Sequence, residues 1–195
     1  MSAELSNDAS AGAGEPARTL AQSERALHLQ RIVNAPGSAV WQAWATADGL
    51  KSFLAPEANV EPKIGGAYEL FFNPADERMS TKDCKLLSYL PGEMISFQWS
   101  LPGDVFPELP KAATWVVVQL RPQGASRTEV RVTQLGWGTG PVWDRAYAHM
   151  QIGWEMAVTM LEQRFERGPI DWEAQRRMWQ EARRQAAQPS DPGAS

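Results

Sequence analysis

Near the C-terminal end of the chain, Trp143, Tyr147, Met150, Trp154, Val158, Leu161 and Phe165 recur at steps of three and four. That spacing lays bulky side chains along one stripe of a helix spanning Pro141 to Arg167, with Gln151, Glu155, Glu162 and Glu166 on the other side. Gly168-Pro169 stops the helix. So long a stripe needs a large apolar partner, and the sequence before it offers one of sufficient size: a run of strands that forms a concave sheet face.

The strands are read from alternation and turn residues. Ala26 to Val33 comes first, broken by Asn34-Ala35-Pro36. Pro36 suits the first position of a short helix carrying Val40, Trp41 and Trp44. Asp48 is the expected N-cap of a second short helix, Gly49 to Leu54, closed by Pro56. Gly65-Gly66 precedes a strand at Tyr68 to Phe72. Lys85 to Leu90 and Met94 to Trp99 flank the hairpin turn Pro91-Gly92-Glu93. Thr114 to Leu120 and Arg127 to Leu135 follow, separated by Gln123-Gly124. Alternation groups Tyr68, Leu70 and Phe72 on one face; Ile95, Phe97 and Trp99; Val116, Val118 and Leu120; and Val130, Val132 and Gln134. Strands in a run followed by one long helix imply an α+β layer, not alternating βαβ units.

Composition narrows the classes. The chain has 195 residues, enough for one domain plus tails, and 43% of them are hydrophobic, enough for a core. Residues 1–22 are read as a disordered leader, 23–168 as the domain, and 169–195 as a helical extension with a loose tail. Asp171 is the expected cap of a last helix, Trp172 to Ala187, with Trp172 and Trp179 on one side as a candidate homodimer or protein-partner contact. A net charge of -4 without a basic run argues against a nucleic-acid partner. The single Cys84 forbids an internal disulfide and fits a reducing compartment. No apolar stretch is long enough to cross a membrane, and the leader lacks the basic start and apolar centre of a secretory signal, so the expected location is the cytoplasm.

The order of elements describes a helix-grip fold, a curved antiparallel sheet wrapped around a long C-terminal helix with two short helices after strand one. The chain resembles the START-like, birch-pollen-allergen-like (SRPBCC) superfamily. Within it, the chain is most similar to the domain family named after the C-terminal region of the activator of heat-shock-90 ATPase. The carrying residues are Asn34-Ala35-Pro36, Val40-Trp41-Gln42-Ala43-Trp44 with Asp48-Gly49-Leu50, Gly65-Gly66-Ala67-Tyr68, Pro91-Gly92-Glu93 with Met94 to Trp99, and Gly153-Trp154. The resemblance covers Leu27 to Arg167. Departures are visible: Phe53-Leu54 stands where members often carry Trp-Trp, and Met150 (with His149 beside it) and Gln134 stand where many carry His. If those histidines serve chemistry in relatives, this chain has lost it.

The resemblance implies a pocket between sheet and helix for a small hydrophobic or aromatic molecule. The candidate lining is Trp44, Phe53, Tyr68, Leu70, Phe72, Phe97, Trp99, Val118, Val132, Gln134, Tyr147, Met150 and Trp154. An aromatic-rich apolar lining with a few polar points suits such a ligand, and also suits a fully packed core. Two alternatives stay open. One is a cyclase, dehydratase or hydrolase using Tyr68, Tyr147 or His149 as acid or base. The other is a co-chaperone-like interaction domain, which rests on the family name. With His28 and His149 its sole histidines and no HxxxH or CxxC spacing, the sequence points to no metal site, and it points to no cofactor. The segment Leu101 to Lys111 holds three prolines and cannot be a regular central strand; Val105 and Phe106 in it are either core anchors or parts of a pocket lid. Gly153 costs a helix interior about 1 kcal/mol relative to Ala, which implies close approach of a strand or of a ligand.

Overall fold

The computed structural model describes residues 25–186. The predicted leader, residues 1–22, and the tail beyond residue 186 lie outside the described residues. The elements are β1 (Leu27–Val33), α1 (Gly37–Ala45), α2 (Ala47–Lys51), β2 (Glu57–Val60), β3 (Tyr68–Phe71), β4 (Leu86–Leu90), β5 (Met94–Trp99), β6 (Thr114–Pro122), β7 (Thr128–Leu135), α3 (Pro141–Arg167) and α4 (Trp172–Ala186).

The strands form a curved antiparallel five-stranded sheet in the order β1-β7-β6-β5-β4, and β2 pairs with β3 in a second ladder. Isolated bridges from Ala67 to Lys85 and from Phe71 to Ser80 carry the second ladder on from the first. The inward faces are those that alternation assigns: Val116, Val118, Leu120, Val130, Val132, Ile95, Phe97 and Trp99 are all buried. With Met150, Trp154, Val158 and Leu161 of α3 they make one core cluster. The arrangement is the helix-grip fold.

Three local readings are corrected. Pro36 is the N-cap of α1 and not its first helical residue. Thr46, not Asp48, caps α2: its Oγ1 accepts from the Gly49 amide at 3.0 Å from an extended backbone. Asp48 sits inside the first turn and pairs with Lys51. A β-carbon on Gly49 would stand 2.0 Å from the Gln42 carbonyl oxygen, so the α1–α2 corner can close only with glycine there. Third, Glu57–Val60 is a strand that the sequence pattern did not announce, four residues long and half exposed.

The extension is braced against the domain. Asp171 caps α4 as expected, its Oδ1 accepting from the amides of Glu173 and Ala174 at 3.0 and 2.9 Å. The Trp172 indole donates to the Lys51 carbonyl at 2.6 Å, the Ile170 amide to the Ser52 carbonyl at 3.0 Å, and Arg164 to the Ser52 hydroxyl at 3.0 Å. The Trp172 N–H is therefore spent on its own chain, and its ring is half-buried. The Trp179 side chain lies outside the described residues.

Candidate functional site

A chain of buried hydrogen bonds fixes α3 on the sheet. Trp154 Nε1 donates to Gln134 Oε1 at 2.8 Å, Gln134 Nε2 donates to Thr114 Oγ1 at 2.9 Å, and the Thr114 hydroxyl donates to the Trp99 carbonyl at 3.0 Å. Gln134 and Thr114 are fully buried, and the Gln134 carbonyl also takes the Trp137 indole N–H at 3.0 Å. Both ends of the Gln134 amide are thus used inside the protein, so it offers no polar point to a pocket.

Other expected lining residues also sit in packed core. Tyr68 is wholly buried, stacks on Phe97 at 4.0 Å, and donates its hydroxyl to the Trp44 carbonyl at 2.8 Å. Burial pushes its hydroxyl well above the ordinary range. Trp44 and Phe53 meet edge to face at 5.1 Å, and Leu70, Val118 and Val132 are wholly buried. Tyr147 lies on the same stripe of α3, two turns before Trp154, and donates to the Ala26 carbonyl at 3.1 Å beneath the Arg25 guanidinium. None of these side chains reaches the open space. The physical reason is shared: the alternation that points a residue inward does not say whether another side chain meets it there.

The open space is a hollow of about 250 Å³ between the middle of α3, the end of β5 and the strap Leu101 to Lys111. Phe72, Trp99, Met150 and Trp154 of the expected set line it, as does His149. Sequence reasoning missed Leu54, Met79, Ser80, Ser100, Pro102, Ala157 and Asp104. It had singled out Gly153 and Val105 without placing them in a lining. The helical step 149, 150, 153, 154, 157 was legible; Met79 and Ser80 come from an irregular loop with no periodicity to read.

The wall is apolar and soft, made of aromatic rings and the thioethers of Met79 and Met150. Trp99 and Trp154 lie 4.7 Å apart between ring centroids. The two serine hydroxyls on the wall are already engaged: Ser80 donates to the Glu77 carbonyl at 2.6 Å, and Ser100 accepts from the Ala112 amide at 2.9 Å. Ionisable groups stand at the rim, where His149 and Asp104 are exposed. Phe106 is buried and meets the His149 ring edge-on at 5.5 Å, so it anchors the strap. Its neighbour Val105 is 47% exposed and lines the hollow. The strap holds itself to the domain by the Gly103 amide, which donates to the Arg78 carbonyl at 2.9 Å. Behind it lies a second, more polar hollow of about 310 Å³ lined in part by Arg78, Lys82 and Lys111.

Nothing in this arrangement resembles a nucleophile–base pair. Cys84 is buried with its Sγ 3.4 Å from the Ser100 hydroxyl, and burial pushes its thiol up, against the opposing pull of that contact. Among the described residues no group of three or more His, Cys, Asp or Glu could hold a metal ion. No described helix is long and apolar enough to cross a membrane.

Residues 34–166 match the family described as Activator of Hsp90 ATPase homolog 1-like protein. The chain belongs to this family. Comparison with curated proteins gives no match. Among solved structures, this Activator of Hsp90 ATPase homolog 1-like chain is similar to a Mesorhizobium loti protein at 22% identity and a TM-score of 0.59, covering 75% of this chain and 100% of that one. It is similar to the Aha1 dimer from Colwellia psychrerythraea at 20% identity and a TM-score of 0.57, covering 74% and 98%. A third, DynU16, from the dynemicin biosynthetic locus, gives 19% identity and a TM-score of 0.57, covering 74% and 48%. At these identities the likeness shows the shared fold.

Proposed function

We propose that this family member binds a small, largely apolar molecule, as a carrier or sensor, in the hollow beneath the strap. The observation that carries the reading is the open-mouthed hollow of about 250 Å³ walled by Phe72, Trp99, Met150 and Trp154 at the edge of the core. Concave apolar sites with few polar groups are where small molecules bind. The DynU16 likeness lends support, since that protein belongs to a biosynthetic locus. A lone buried Cys84 suits a cytoplasmic setting. Native mass spectrometry of the purified protein tests the proposal directly: a retained small molecule supports it. A broad screen of lipids and aromatic metabolites without any thermal shift opposes it, because a ligand at a hundredfold excess over Kd adds about 2.7 kcal/mol.

The strap acts as the lid. A β-carbon on Gly103 would lie 3.7 Å from that of Arg78, within the span a disulfide bridges. In an Arg78→Cys, Gly103→Cys protein, oxidation slows uptake and release of a bound probe by about tenfold, and reduction restores both. Equal rates in the two redox states would show that the strap does not gate the hollow.

A second reading is favoured by one placement: His149 is on the rim of the same hollow, and imidazole can both give and take a proton. An acid–base role there predicts that His149→Gln removes turnover of a bound compound while leaving its affinity unchanged. Tyr68 and Tyr147, whose hydroxyls are held by backbone carbonyls away from the hollow, have no part in it.

A further inference from the structure

Gly153 sits in the interior of α3, where glycine weakens a helix relative to alanine. At two other glycines the structure gives a reason. At Gly49 a side chain would collide with the backbone of α1, and at Gly136 the φ of 85° lies in the left-handed region. Neither reason applies at Gly153. Its backbone is helical, and an added β-carbon would meet a single atom, Met150 Cε, at an ordinary 3.8 Å. The expected close strand contact is absent. What lies beside Gly153 is the hollow, which it lines between Met150 and Ala157.

We infer that Gly153 is a specificity-determining residue: it leaves a bare stretch of helix backbone on the wall so that the face of a fused or linked pair of aromatic rings can lie against it. This rests on the binding reading above and names its ligand class. Three observations give the class. Phe72, Trp99 and Trp154 supply aromatic partners, and a ligand ring favours offset or edge contacts with such side chains. A dry cavity of about 150 Å³ takes one benzene, so the hollow of about 250 Å³ has room for a second ring. The inner wall has no free ionisable group, whereas the rim has His149 and Asp104, so the rings are uncharged and a single polar substituent faces the mouth.

The test uses isothermal titration calorimetry with 2-naphthol, phenol and 1-octanol, on the wild-type protein and on Gly153→Ala and Gly153→Leu, with thermal unfolding of each without ligand. The wild type is expected to bind 2-naphthol. Gly153→Ala is expected to raise Tm by about 2–4 °C and to weaken 2-naphthol about tenfold, while phenol changes by less than about threefold. Gly153→Leu, which fills the space, is expected to abolish 2-naphthol binding. A fall in Tm on Gly153→Ala would make the glycine structural and overturn the inference, as would unchanged 2-naphthol affinity. If the wild type binds 1-octanol but neither ring compound, the ring assignment falls and the cavity reading stands. If it binds none of the three, both fall.

Discussion

The two flanks of Trp154 are built differently although their residues look alike. On one flank the indole N–H enters the chain of hydrogen bonds through Gln134 and Thr114, and every polar atom in that chain has a partner. On the other flank the same side chain borders empty space, together with Trp99, whose indole N–H is buried without a partner. The closed flank holds the helix in position; the open flank can then stay open, because the helix does not depend on filling it. The hollow persists because the bonds opposite it forbid the collapse that would otherwise close a void.

If the flanks differ as described, they respond differently to the same change. Trp154→Ala removes both packing and the bond to Gln134 and is expected to cost about 3–5 kcal/mol in urea unfolding. Trp154→Phe keeps most of the packing but orphans Gln134 Oε1, at about 2 kcal/mol, whereas Trp99→Phe removes a donor that had no partner and costs less than about 1 kcal/mol. Equal costs for the two Phe variants would erase the distinction between the flanks.

The closed interior also has an alkaline limit. Tyr68 keeps its proton in the folded state to well above the ordinary value of 10.0, because burial opposes the phenolate. The unfolded chain releases that proton near pH 10, so above this pH the folded state binds more protons and stability falls as pH rises. Below it the contribution is constant. The expected loss is up to about 1.4 kcal/mol per pH unit, read as a falling urea midpoint between about pH 9 and 11 that Tyr68→Phe makes shallower. Cys84 adds a fall of the same sign from lower pH, so the comparison belongs in a Cys84→Ala background.

The smallest expected effect is at Ala112, just after the strap. Ala112 has a φ of 50°, in the left-handed region that disfavours a β-carbon. Ala112→Gly is expected to stabilise the folded state by about 0.5 kcal/mol, the relief of strain less the extra entropy of the unfolded chain. A loss of stability there would mean that the backbone at Ala112 is not strained.

The sequence made the architecture legible because its signals are periodic. The stripe from Trp143 to Phe165, the alternation in β5, β6 and β7, and the Asp171 cap can all be read from spacing. It was silent on Glu57–Val60, which is too short and too exposed to alternate visibly. Asp48 is the expected cap and Thr46 the actual one, since both residue types accept amide bonds and the backbone that decides between them is not written in the chain. The site was less legible than the fold. Phe97 and Trp99 have the same register and nearly the same burial, yet only Trp99 meets the hollow. Gln134 looked like a polar point for a ligand because its two hydrogen-bond partners come from Thr114 and Trp154, 20 residues away on either side. Gly153 stands out in the sequence as an anomaly, and only the fold places the hollow beside it.

Pro102, Pro107 and Pro110 have one more effect on the segment that covers the hollow. A proline has no amide hydrogen, so this stretch presents an interrupted row of donors and makes a poor template for a strand from another molecule. Val105 can therefore remain out in water at the mouth without turning that edge of the protein into a seed for aggregation.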